Sequence, residues 1–281
     1  MGGLSAEQIR CFTEEGYLVL TGAVDPAMFQ PLVEEFAAII DERARRAQAA
    51  GRLAEVYADA PFERRMALLY REMTEEDAAD LWRTVHGKNQ KTAGMFGVIT
   101  HPALLDIVES LIGPEILAHP QFNSRAKLPH HQATVVPWHQ DLGYLREEAD
   151  QTFMVNFWIP LVDAPLESGP LQVIPGSHRW GLIPHSHVDG YLGIPEGELP
   201  PHTVVDCPMR VGDLLLIQHK TVHRSTPNVS DRVRWSLDLR YSDPAQPTGR
   251  DEVPGFIARS RTNPEACART YRDWLALFGA G

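Results

Sequence analysis

The chain of 281 residues carries 37 acidic against 26 basic side chains, a formal net charge of −11, with 43% hydrophobic and 22% charged residues. That length suffices for one large domain or two small ones, and the balance belongs to a packed globular chain, which excludes disorder as its organising state. An acidic surface also excludes phosphate-backbone binding, which needs clustered Lys and Arg, so nucleic acid is not an expected partner. Cys11, Cys207 and Cys267 form no CxxC pair, and free thiols are expected rather than a zinc ribbon or a disulfide framework. No apolar signal-peptide core opens the chain. Met1-Gly2 is followed by Ala6 where a myristoylation pattern wants Ser or Thr. No apolar run reads as approaching the ~18 residues of a membrane span. A cytoplasmic protein without a membrane partner is expected; its oligomeric state is not legible.

No repeat, low-complexity tract or linker divides the chain. One domain over residues 1–281 is expected, helical to about 115, β-rich over about 116–245, with a tail over 246–281. Ser5 caps a first helix, with Gln8 three residues on, and Gly16 ends it before a short strand, Tyr17–Leu20. Pro26 opens a helix from about Ala27 to about Ala49, whose Phe29, Leu32, Val33, Phe36, Ile39 and Ile40 fall three and four apart. After a mixed stretch, helices are read over Thr74–Val85 and Pro102–Leu111. From Ile116 short β-rich runs alternate with Pro, Gly and Asp. Strands are read at Ile116–Leu128, Thr134–His139, Thr152–Leu161, Leu171–Ile174, Thr203–Asp206, Asp213–Gln218 and Arg232–Tyr241. Many short strands without alternating helices predict a mostly β fold with flanking α-helices, a jelly roll with helices packed outside it.

The chemistry centres on His139-Gln140-Asp141. On a strand, residues i and i+2 face the same way, so the imidazole and the carboxylate reach one ion. His223 supplies a third candidate ligand. Two imidazoles and one carboxylate form a facial triad with three open positions, which suits Fe(II) that must also bind a bidentate 2-oxo acid and O2. Arg234 lies 11 residues beyond His223, on a run in which Val233, Trp235, Leu237 and Leu239 alternate with Arg234, Ser236 and Asp238. Two readings fit an inward Arg there: a grip on a dicarboxylate's distal carboxylate, or a structural salt bridge with Asp231 or Asp238.

These residues together resemble the phytanoyl-CoA dioxygenase family of Fe(II)/2-oxoglutarate oxygenases. The match runs from Glu14-Glu15-Gly16-Tyr17-Leu18-Val19 through His139-Gln140-Asp141 and Trp158. It continues through Ser168-Gly169, Pro175-Gly176-Ser177-His178 and Gly212-Asp213 to His223 and Arg234, covering the chain to about Tyr241. The resemblance implies a double-stranded β-helix of the cupin-like kind, ferrous iron on His139, Asp141 and His223, and oxidative decarboxylation of 2-oxoglutarate to succinate and CO2. It carries the carboxylate clamp onto Arg234, cosubstrate contacts onto Ser225 and Trp158, and places Gln121 and Arg125 near positions that contact substrate and cosubstrate. Leu171 departs from relatives that carry Thr there, which removes one hydrogen bond to the cosubstrate. Asp141 favours hydroxylation, because a halogenase needs a small residue at that position.

Other groups read differently. Gln121, Asn123, Arg125 and Lys127 share one face of a strand, as do Thr152, Met154, Asn156 and Trp158. Lys127 reads equally as a cavity residue and as a solvated edge charge. His130 and His131 read as a turn beside the site, His178 as fixing the Pro-Gly-Ser turn, His185 and His187 as part of a flexible lid, and His219 as structural. Two rival functions share the fold: a zinc or manganese isomerase or hydrolase, and a catalytically silent binding protein. The substrate is expected to be a small molecule such as a secondary metabolite, chosen by the loops near 86–100 and 180–202.

Overall fold

A computed structural model describes residues 2–250 and 253–279; Met1 of the Met1-Gly2 pattern and positions 251, 252, 280 and 281 of the expected tail lie outside them. The α-helices are α1 (Ala6–Glu15), α2 (Gln30–Ala49), α3 (Phe62–Glu72), α4 (Glu75–Val85), α5 (Ala93–Ile99), α6 (Pro102–Ile112) and α7 (Tyr271–Ala276). The strands are β1 (Tyr17–Leu20), β2 (Ile116–Ala118), β3 (Asn123–Lys127), β4 (Met154–Pro160), β5 (Leu171–Val173) and β6 (Ser186–Val188). They continue with β7 (Tyr191–Gly193), β8 (Val205–Cys207), β9 (Leu214–Gln218), β10 (His223–Ser225), β11 (Arg234–Ser242) and β12 (Phe256–Arg259). Helices thus cover antiparallel sheets. Seven strands form the large sheet, in the order β1-β9-β4-β11-β2-β12, with β3 beside β2 on the same edge of β11. A second sheet, β10-β5-β8, packs against its inner face through Trp158, Leu215 and Ile217 on one side and Leu171, Val173 and Cys207 on the other.

Period-two alternation divides the large sheet into two chemical faces. Outward, Trp235, Leu237, Leu239 and Tyr241 of β11 and Val155, Phe157 and Ile159 of β4 join the core beneath the helices. There Trp235 stacks between Phe36 and Phe62, at centroid distances of 5.2 and 4.9 Å. Inward, β11 presents Arg234, Ser236, Asp238 and Arg240, and β4 presents Asn156 and Trp158, to the space between the sheets.

Local chemistry accounts for the elements. Ser5 and Gln8 form a capping box on α1, and Gly16 closes the helix at φ 76°. A Cβ on Gly16 would fall 2.2 Å from His178 Nδ1, so glycine is needed for contact as well as for conformation. The expected helix after Pro26 begins as a 3-10 turn, Pro26–Phe29, and becomes α-helical at Gln30. Helix α3 falls in the stretch read as mixed, and α5 falls in the segment near 86–100 read as a substrate-choosing loop, where Met95, Val98 and Ile99 are buried. The run read as Ile116–Leu128 divides into β2 and β3 around Pro120, which has no N–H for a ladder. No strand spans 134–139: Gln132–Thr134 is a 3-10 turn, and His139 meets His223 in an isolated bridge. The loop holding His185 and His187 contains the hairpin β6–β7. One stretch, Ala93–Ile112, does reach membrane-spanning length and apolarity, contrary to the expectation from sequence. It breaks at Thr100–His101 into α5 and α6, and Met95, Val98, Leu104 and Val108 lie in the core.

Candidate metal centre

His139 and Asp141 reach the same side without a regular strand between them. Gln140 is extended, at φ −112° and ψ 137°, and Asp141 opens a 3-10 turn, Asp141–Tyr144. The third residue arrives from β10. His139 N–H donates to His223 O and His223 N–H donates to His139 O, each at 3.0 Å. This reciprocal pair sets the two imidazoles side by side, with ring centroids 4.1 Å apart. Ligand atoms of His139, Asp141 and His223 all lie within 4.8 Å of one another, and all three residues are buried.

The hydrogen bonds fix which nitrogens face the centre. His139 Nδ1 sits 2.9 Å from Pro137 O, and His223 Nδ1 sits 3.0 Å from Thr221 O. A carbonyl oxygen only accepts, so each Nδ1 carries the hydrogen and each Nε2 keeps a lone pair for a metal. The Nε2 atoms stand 3.9 and 4.0 Å from Asp141 oxygens. Burial and the neighbouring His223 bring the His139 imidazole down to about 3, which keeps it neutral and ligating. Burial alone would raise the Asp141 carboxyl. Arg240, the two imidazoles and Asn156 outweigh it and hold the group well below the usual carboxylate range. Arg240 Nη2 and Asn156 Nδ2 each donate to one Asp141 oxygen.

The cavity beside the triad is lined by β3, β4, β9, β10 and β11. Arg234 lies in its wall, 3% exposed. Its Nη1 donates to Ser236 Oγ, its guanidinium rests 5.1 Å from the Trp158 ring centroid, and its Nε has no partner. Among the described residues no carboxylate pairs with it. Asp231 binds Arg64 at 2.9 Å and Asp238 binds Arg125 at 2.7 Å, which removes the structural salt bridge as a reading of Arg234. Burial, reinforced by Arg125, draws the Arg234 guanidinium down to about 10. Lys127, cross-strand from Arg234, is 1% exposed and donates to Ser225 Oγ at 2.7 Å, so it is no solvated edge charge. Burial, then Arg234 and Arg125, pulls its amine to about 6.

Several sequence candidates lie elsewhere. Gln121 is outside the cavity lining, its Oε1 accepting from Lys88 Nζ at 3.0 Å. His178 ties its turn to the end of α1 through Thr13 O at 3.1 Å. His131 faces Tyr70, and His219 accepts from the Met154 N–H at 3.3 Å. His185 accepts from the Gln140 N–H at 3.0 Å, latching the 180–202 segment to the metal loop. Sequence reasoning missed Arg240, although the alternation that singled out Arg234, Ser236 and Asp238 continues to it. It also missed Tyr144 and Tyr191, whose partners, Leu192 O at 2.5 Å and Ala133 O at 2.6 Å, are set by loop packing.

Two imidazoles and one carboxylate, leaving half of an ion's positions open, define the facial-triad class of mononuclear metal proteins. The unpaired Arg234 and the buried Lys127 give that centre an anion-binding neighbour, and the donor set fits Fe(II) with 2-oxoglutarate. The sequence profile described as phytanoyl-CoA dioxygenase matches residues 12–236, and the chain belongs to that family. It is 30% identical over 158 residues to phytanoyl-CoA dioxygenase domain-containing protein 1 of Bos taurus, covering 54% of each chain. It is 32% identical over 114 residues to L-proline trans-4-hydroxylase of Streptomyces griseoviridis, covering 40% of this chain and 42% of that one. The chain spans about half the length of the curated relatives it matches. The epimerase SnoN in complex with Fe3+, alpha ketoglutarate and nogalamycin RO has the same fold, with a TM-score of 0.56 at 21% identity over 86% of each chain.

Proposed function

We propose that the protein is an Fe(II)- and 2-oxoglutarate-dependent oxygenase that hydroxylates or otherwise oxidises a small molecule, built on a double-stranded β-helix. The observation that carries this reading is Arg234: a guanidinium buried beside the triad with no carboxylate of its own. An unpaired charge there is costly unless a ligand supplies the anion. Family membership and the intact triad support the same conclusion.

The chain's tasks follow from the geometry. His139, Asp141 and His223 would hold the metal, offering the two Nε2 atoms and a carboxylate oxygen. Asn156 and Arg240 steer the Asp141 carboxylate, which occupies the place a halide would need. Arg234, Lys127 and Ser225 would grip the distal carboxylate of 2-oxoglutarate, and Trp158, Leu171 and Ile217 would exclude water from the cavity they line. Iron and 2-oxoglutarate, when bound, supply the means of activating O2 for attack on a C–H bond, with succinate and CO2 released. The relative named as a proline hydroxylase favours hydroxylation.

Anaerobic titration of 2-oxoglutarate into the Fe(II)-loaded protein tests the reading. A metal-to-ligand charge-transfer band should grow to saturation, and admission of O2 should yield succinate. His139→Ala, Asp141→Ala and His223→Ala should each lose both signals while staying folded by circular dichroism. A zinc hydrolase or a silent binding protein would give neither signal in the wild type.

A further inference from the structure

We propose that Arg125 anchors the substrate and that the substrate is a small carboxylic acid, held by the outer edge of the Arg125 guanidinium. This rests on the oxygenase reading above and names the substrate class for the same cavity. Arg125 lies on β3, at the edge of the sheet beyond β11, and lines the cavity with Tyr191 of the β6–β7 hairpin. Its Nε donates to Asp238 Oδ2 at 2.7 Å. That bond holds the guanidinium by its Nε and leaves its two terminal nitrogens to the cavity side. Arg52, by contrast, uses both Nε and Nη2 on Asp77. Among the described residues nothing accepts from Arg125 Nη1 or Nη2, and the side chain keeps 29% of its surface. An arginine held from behind with its terminal fork facing a cavity is arranged for a bidentate carboxylate.

Charge balance points the same way. Arg125, Arg234 and Arg240 line the cavity against Asp141 and Asp238, with Lys127 in addition. Ferrous iron and the 2-oxoglutarate dianion cancel each other, so the loaded site retains at least one positive charge. A monoanion neutralises it; a neutral or cationic substrate does not. The resemblance placed Arg125 near substrate and cosubstrate alike; with Arg234, Lys127 and Ser225 assigned above to the cosubstrate carboxylate, the fork of Arg125 is left over.

The test is calorimetric titration of the Ni(II)-loaded, 2-oxoglutarate-saturated protein with small monocarboxylic acids (aliphatic, alicyclic and aromatic, benzoate among them) and with their primary amides. At least one acid should bind about tenfold or more tightly than its amide, the difference of one charge-assisted grip. Arg125→Gln should bring acid and amide within about threefold, and Arg125→Lys should fall between, since an ammonium lacks the fork. The Kd of 2-oxoglutarate should stay within about twofold in both variants. The proposal is overturned if no acid binds, if amides bind as well as acids, if Arg125→Gln keeps the preference, or if it weakens 2-oxoglutarate instead. Failure of the oxygenase reading looks different: the wild type would then not bind 2-oxoglutarate at all.

Discussion

Arg234 is buried with its Nε unpartnered, and that makes its energetics one-sided. Removing the side chain costs the folded protein little pairing energy and, on the proposed reading, deprives the cosubstrate carboxylate of its guanidinium. Charge-assisted hydrogen bonds contribute roughly 1.5–3 kcal/mol each, and two sharing one carboxylate do not simply add. Arg234→Ala should therefore weaken 2-oxoglutarate by about 10- to 1,000-fold, read from the charge-transfer titration, with iron affinity measured alone nearly unchanged. Arg234→Lys should recover part of the loss. An unchanged 2-oxoglutarate Kd in Arg234→Ala would remove it from the clamp. Lys127 adds a pH dependence. Empty, its amine sits at about 6, driven there by burial and by Arg234; a carboxylate placed against it favours the charged form and raises it. The bound state then holds more protons than the free state between those two values, so affinity is highest below pH 6 and falls as pH rises. Titration at constant metal saturation should find a smaller Kd at pH 6 than at pH 8, and Lys127→Met should flatten the profile. A wild-type Kd independent of pH would refute the coupling.

The loops around the metal are held as firmly as the strands. Gln140, between two ligands, is fully buried, and all of its side-chain bonds go outward. Its Nε2 donates to Gly181 O at 2.6 Å and Lys220 O at 2.7 Å, and its Oε1 accepts from Ile183 N–H at 2.8 Å. One side chain therefore joins the metal loop, the segment leading into β6 and the turn before β10. Gln140→Ala leaves those backbone groups unpaired, at about 1–3 kcal/mol for each one that water cannot reach. Hydrogen exchange should quicken over residues 181–193 and iron should bind more weakly; unaltered exchange there would mean the hairpin is held without Gln140, by Tyr144, His185 and Tyr191. At this scale the sequence was legible where a period or a cap dictated structure. The capping box of α1, the ends of α4 and α6, and the alternation on β4 and β11 were all readable. The three-residue strands β6, β7 and β10 were not, because their pairing depends on partners distant in sequence. The His139–Asp141 geometry was right for a different local reason, one extended residue before a 3-10 turn.

Taken whole, the helices and the outer face of the large sheet share one apolar core, and the cavity lies on the other face. Trp235 is its largest fully buried side chain, stacked between helical Phe36 and Phe62. Trp235→Ala should cost about 3–5 kcal/mol, seen as a lower denaturation midpoint. Its neighbour Arg234 faces the other way, so the 2-oxoglutarate Kd of the folded fraction should hold; a large loss of affinity would mean the two faces are not independent. The helical first part, the β-rich remainder and the residues of the triad were legible from composition and motif. How the sheets close on each other was not, since nothing local in the chain states that β10 lies against His139.

That last contact has a consequence for the order of events in synthesis. His139 and His223 are joined backbone to backbone across 83 residues of intervening chain, and closing so long a loop must precede its reward. A nascent chain that has not yet delivered residue 223 possesses two of the three ligands and no frame to aim them. Iron therefore arrives as a late tenant, after tertiary closure, and its occupancy thereafter favours the closed form by mass action.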